Sequence, residues 1–115
     1  MFSRAEWALQ RATDIGRTDI NFGGITGVRK TVDMYEALGM KCEIHVGGFG
    51  NGQIMSATSE DTCEYYERGL LGLDMVDMPT PPYLKTPCDP MDEDGNVLLP
   101  DGPGLGYELD WDYID

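Results

Sequence analysis

A chain of 115 residues has room for one small domain, and its 41% hydrophobic and 25% charged content is that of a folded protein, which excludes a wholly disordered one. Eight Lys and Arg against 21 Asp and Glu leave a formal charge of -13, so phosphate backbones and anionic lipids are repelled and neither nucleic acid nor a membrane surface is expected as a partner. The acidity is uneven, because residues 74–115 carry eleven carboxylates against Lys85 alone.

The N-terminal segment is charged throughout and lacks the apolar run of a signal peptide, and no stretch reaches membrane-spanning length. A soluble, cytoplasmic protein is expected. Cys42, Cys63 and Cys88 are odd in number and widely spaced, which suits reduced core thiols better than a disulfide framework or a zinc site.

In chain order, Ser3 stands at capping-box distance from Glu6, so a short helix is predicted to start there and to stop near Ala12. Residues 14–21 read as a strand. After Gly23 and Gly24 the apolar residues Ile25, Val28, Val32 and Tyr35 recur at helical spacing up to Gly39. A second strand follows over residues 40–46, then a glycine-rich flexible loop over 47–52, a short helix over 53–58 and a third strand over 62–66. The order β, α, β, α, β predicts an α/β fold of parallel strands joined by right-handed crossovers. Beyond Arg68 seven prolines break regular structure. The chain is therefore divided into residues 1–72, a three-stranded α/β portion, and residues 73–115, an acidic Pro- and Gly-rich tail with a short hairpin of strands 96–99 and 107–109.

Each predicted strand closes on an ionisable residue: Asp19, His45 and Glu67. In a parallel sheet all strand C-termini open on one side, so these three would converge in one site suited to proton transfer. Period two places Arg17 beneath Asp19, Glu43 beneath His45 and Tyr65 beneath Glu67. A buried Arg17–Glu43 pair is expected as the supporting layer. Other motifs carry less. The loop at 47–52 lacks the phosphate-binding spacings, and in residues 89–95 alignment with a calcium loop would put Pro90 at the first ligand position, which leaves a solvated turn. Met34, Met40, Met55, Met75 and Met78 read as core or contact filler.

Asp14-Ile15 with Thr18-Asp19, Phe22-Gly23-Gly24-Ile25-Thr26-Gly27, Glu43-Ile44-His45, Glu64-Tyr65-Tyr66-Glu67 and Pro103-Gly104-Leu105-Gly106 occur in this order, and with them the chain resembles the enolase superfamily. The likeness is to its mandelate racemase and muconate lactonizing enzyme branch, and within it to the acid-sugar dehydratases. The resemblance implies the C-terminal portion of a (β/α)8 TIM-type barrel, with Asp19 on the sixth strand, His45 on the seventh and Glu67 on the eighth. It implies His45 as general base or as the acid that assists hydroxide departure, Asp19 as the group that orients it, and Glu67 as a protonated donor to a developing enediolate. The PGLG turn resembles the segment that returns to a capping domain.

The sixth-strand motif is one residue shorter than the family pattern, so an ungapped alignment would put Thr18 in the acid's place; the chemistry favours Asp19. The family's Mg²⁺ ligands lie on its third to fifth strands and a second base on its second strand, and none of these segments matches this chain. A closed barrel takes about 250 residues. The resemblance thus implies the C-terminal part of a Mg²⁺-dependent acid-sugar dehydratase, inactive alone, whose missing strands come from a longer chain or a partner. Its substrate would be a small sugar acid and its full-length form a homo-oligomer. A racemase or cycloisomerase of the same branch, and a non-enzymatic truncated or assembly module, remain as alternatives.

Overall fold

The computed structural model of the chain describes residues 2–68 and 79–115. Their elements are helix α1 (Phe2–Leu9), strand β1 (Ile15–Thr18), a 3₁₀ turn (Ile20–Phe22), helix α2 (Gly24–Ala37), strand β2 (Lys41–Ile44), helix α3 (Phe49–Ser56) and a final turn of helix, α4 (Trp111–Ile114). The expected boundary near residue 72, together with Met75 and Met78, lies outside the described residues.

β1 and β2 pair in parallel across α2, with Ile15 opposite Lys41, Gly16 opposite Cys42, Arg17 opposite Glu43 and Thr18 opposite Ile44. One face of this pair, made by Gly16, Thr18, Cys42 and Ile44, is buried. It packs under α2, whose buried Val28, Thr31, Val32 and Tyr35 follow the i, i+3, i+4, i+7 stripe of a core-facing helix. Tyr35 lies so close that a Cβ at residue 16 would stand 2.3 Å from its ring, so only glycine fits there. Ala8, Ile54 and Cys63 complete the cluster, with Met34, Met40 and Met55 packed against it. Each fully buried aliphatic side chain contributes about 1.5–3 kcal/mol by leaving water. Cys42 is fully buried and its thiol is pushed up to about 12 by that burial, with Cys63 beside it adding to the shift.

Several expectations are corrected. Ser3 lies inside α1, which starts at Phe2, so its backbone is already helical and it cannot serve as an N-cap. Residues 62–66 form no strand: Cys42 N donates to Thr62 O at 2.8 Å, yet Thr62 is held in a turn by its own N–H to Ser59 O, and one bond does not make a ladder. The described sheet has two strands, not three. The glycine-rich loop is helical from Phe49 onward. Gly50, Asn51, Gly52 and Ile54 are buried there, so packing overrides the low helix propensity of glycine.

The predicted tail hairpin is not formed either. Val97 pairs with Met91, across a turn in which Asp92 Oδ1 accepts from the N–H groups of Asp94 and Asn96, while Leu109 pairs with Leu84. The short turn between Asp92 and Asn96 sets the first register, which leaves residues 107–109 free to cross to residue 84. Among the described residues no helix is long and apolar enough to cross a membrane.

Candidate active site

Asp19 and His45 are the residues that follow β1 and β2, and the ladder continues to them through His45 N to Thr18 O at 2.7 Å. Parallel pairing in this register puts their side chains side by side, with His45 Nδ1 3.2 Å from Asp19 Oδ2. Asp19 is buried and His45 remains partly open, its side chain 44% exposed. The two line a cavity of about 240 Å³ together with Arg4, Arg17, Thr18 and Phe22. A larger groove of about 750 Å³, between the end of α3 and the turn at Gly95, is lined by neither His45 nor Asp19.

The second oxygen of Asp19 has a separate duty. Asp19 Oδ1 accepts from Asn21 N at 2.9 Å and so caps the 3₁₀ turn. Burial pushes the Asp19 carboxyl up, but the hydrogen bonds from the Asn21 backbone, from His45 and from the Asn21 and Asn51 side chains outweigh it and hold the group below the usual carboxylate range. A carboxylate facing Nδ1 favours the tautomer with its proton there, which leaves the Nε2 lone pair to accept a proton.

Asn51 is a member of the site that the sequence reading missed. It is buried on the first turn of α3, where its Nδ2 donates to His45 O and Val46 O, both at 3.1 Å, and reaches Asp19 Oδ1 at 3.4 Å. Its Oδ1 accepts from Ile20 N at 3.1 Å. One amide thus ties together the chain after both strands. Its only signal in the sequence is an Asn set among glycines, six residues beyond the histidine.

The supporting layer differs from expectation. Arg17 and Glu43 do share a face, being register partners on the side opposite the core, but that face is open and Arg17 is exposed. Arg17 forms its ion pair with Glu67, whereas Glu43 lies 3.9 Å from the Cys63 thiol. Arg17 and Glu67 are both exposed, so their pair is screened by water and adds little to stability. Glu67 therefore stands beside Arg17, whose guanidinium lines the cavity of His45 and Asp19.

Magnesium finds no ligand set among the described residues, which contain no group of three His, Cys, Asp or Glu able to hold a metal ion. Asp19 is engaged by His45, Asn21 and Asn51, and Asp92 by the backbone of its own turn. These residues do not fit the ion.

A search of curated proteins returns no match. The chain is similar to a solved structure, D-glucarate dehydratase from Agrobacterium tumefaciens complexed with magnesium, at 44% identity and a TM-score of 0.83, over 99% of this chain and 29% of that enzyme. The chain thus spans under a third of the enzyme it matches. Residues 2–113 match the enolase C-terminal domain-like family, and the chain, carrying its strand-end acid and histidine side by side, belongs to that family.

Proposed function

We propose that this chain supplies the histidine–aspartate side of an acid-sugar dehydratase active site, a carbon–oxygen lyase that removes the proton α to a carboxylate, passes through an enediolate and then expels water. The observation that carries this reading is the 3.2 Å contact of His45 Nδ1 with Asp19 Oδ2 at adjacent strand ends. The 44% identity to D-glucarate dehydratase supports it. In this reading His45 Nε2 takes up the α proton, or returns a proton to the departing hydroxide. Asp19 keeps the ring in one tautomer and orientation and stabilises the imidazolium once the proton has arrived. Glu67 is the donor to an enediolate oxygen, a role in which it must be protonated and must release Arg17. The freed guanidinium would then be the natural partner of the substrate carboxylate.

The described strands number two, and a (β/α)8 barrel needs eight. The remaining strands, the magnesium ligands and the capping domain would come from further chain or from a partner subunit, with β1 and β2 as barrel strands six and seven, the segment ending at Glu67 in the place of the eighth, and the Pro- and Gly-rich tail leading to the capping domain. Without them an enediolate dianion would face too little positive charge, so the chain alone would be inactive. The complete enzyme would be a homo-oligomer acting on a small sugar acid.

The test is exchange of the α proton of D-glucarate in D₂O with magnesium present, followed by NMR, with the chain joined to the complementary part of the barrel. The complete barrel should exchange the proton, and His45→Asn should abolish exchange while leaving the fold intact. Undiminished exchange in that variant would exclude His45 as the base, and undiminished loss of water as well would remove it from the chemistry.

A further inference from the structure

The backbone after His45 holds Val46 in a conformation that a β-branched residue does not choose. Val46 adopts φ 60° and Gly48 φ 91°, and positive φ strains a β-branched residue, whose Cβ crowds the neighbouring carbonyl, whereas glycine takes it freely. Asn51 holds this turn from within, through the carbonyls of His45 and Val46. A second set of groups holds it from outside.

Gly48 N donates to the hydroxyl of Tyr66. Tyr66 in turn donates to Asp89, whose other neighbour is the Tyr107 hydroxyl, 3.5 Å from Oδ1. Asp89, read from the sequence as part of a solvated turn, is 2% exposed. A buried carboxylate among tyrosine hydroxyls is costly unless each partner is in place. Burial first, then the contact with Asp89, pushes the Tyr66 hydroxyl far up, so it stays a neutral donor. The fit is close as well: a Cβ on Gly47 would stand 2.6 Å from the Tyr66 ring and 2.7 Å from Asp89 Oδ2.

We propose that Tyr66 and Asp89 are positioning residues for His45, a clamp by which the C-terminal segment fixes the turn after β2 and, through it, the imidazole against Asp19. The proposal rests on the reading of His45 as the proton-transfer group. It explains why a residue that follows Cys88 bears on a site built by β1 and β2: Asp89 holds the Tyr66 hydroxyl that accepts from the Gly48 N–H, while Asn51 holds the carbonyls of His45 and Val46. Removing the Tyr66 hydroxyl leaves Gly48 N–H without its acceptor and Asp89 short of a donor, and both defects favour relaxation of Val46 toward ordinary φ.

His45 is the single histidine of the chain, so long-range ¹H–¹⁵N NMR of the labelled 115-residue protein reads one imidazole. In the parent the two ring nitrogens should be widely separated, as one tautomer held by Asp19 requires. Tyr66→Phe should narrow that separation toward the averaged value of a freely exchanging ring, while core methyl signals of Val32 and Ile44 stay in place. Tyr65→Phe, one residue away and outside the clamp, should leave the ring signals unchanged. Unmoved His45 signals in a folded Tyr66→Phe protein, or equal movement in Tyr65→Phe, overturn the proposal. Should Tyr66→Phe lose its fold, Asp89→Asn gives the second reading: a smaller narrowing supports the clamp and none overturns it. The measurement is independent of turnover, so a failure of α-proton exchange would sink the functional reading and leave this one to be judged by its own signals.

Discussion

Residues 8–63 and residues 79–115 are held in place by different forces. The first region owns the core: Ala8, Val28, Val32, Tyr35, Cys42, Ile44, Ile54 and Cys63 bury one another between a two-stranded sheet and its helices. The second contributes Leu84 and Cys88 to the buried set and leaves Leu98, Trp111, Tyr113 and Ile114 open. It is tied down by isolated bridges and polar contacts, among them Asp89 with its tyrosines and Gln53 Nε2 reaching Pro100 O and Leu105 O, each at 3.4 Å. The lesson is a division of labour: apolar burial builds the platform, while polar contacts fix the tail against it.

Truncation in the two regions separates these contributions most sharply. Ile44→Ala, at a side chain 3% exposed, should cost about 2–5 kcal/mol in urea unfolding. Leu98→Ala, at 55% exposed, should stay within about 0.5 kcal/mol of the parent; equal losses would mean that the tail belongs to the core. Asn51→Ala comes next. It deprives the part-buried carbonyls of His45 and Val46 and the Ile20 N–H of their partner, with an expected loss of about 1–3 kcal/mol, and cleavage by a protease within residues 45–52 should accelerate with it.

Acid unfolding probes the same contrast through charge. The folded Asp19 carboxyl lies below its ordinary value of 3.8. Its contribution to stability is complete above that pH and disappears as pH falls through the lowered folded value. Asp19→Asn should therefore flatten the stability profile below about pH 4, whereas Asp92→Asn, also at a lowered but exposed carboxyl serving its own turn, should change the profile far less. A reversed order would place the acid-sensitive contact in the tail. Smallest of all is the effect expected from magnesium. Calorimetric titration of the 115-residue chain should show no stoichiometric binding, since no group of three His, Cys, Asp or Glu able to hold a metal stands together among the described residues, and a tight site would overturn that expectation.

Much of the platform was legible in the amino-acid order. The stripe Val28, Val32, Tyr35 marked the core face of α2, alternation marked β1 and β2, and the left-handed Gly39, φ 65°, ends α2 where the pattern stops. Strand phase also carried through, since Arg17 and Glu43 share the face on which Asp19 and His45 continue. Asn51 and Asp89 were not legible, because a buried polar side chain is recognisable only by the partners that satisfy it, and these include Ile20, 31 residues from Asn51, and Tyr107, 18 residues from Asp89.

What the sequence determined by itself is thus the βαβ unit and the acid and imidazole at its strand ends, because local periodicity states which face of an element must leave water. The tertiary structure alone decided that residues 62–66 lie beside β2 without joining it, that Arg17 turns to Glu67, and that Asp89 closes over the His45 turn. Those outcomes depend on which distant backbone and side-chain groups meet, and a hydrogen bond or ion pair between them leaves no period in the chain.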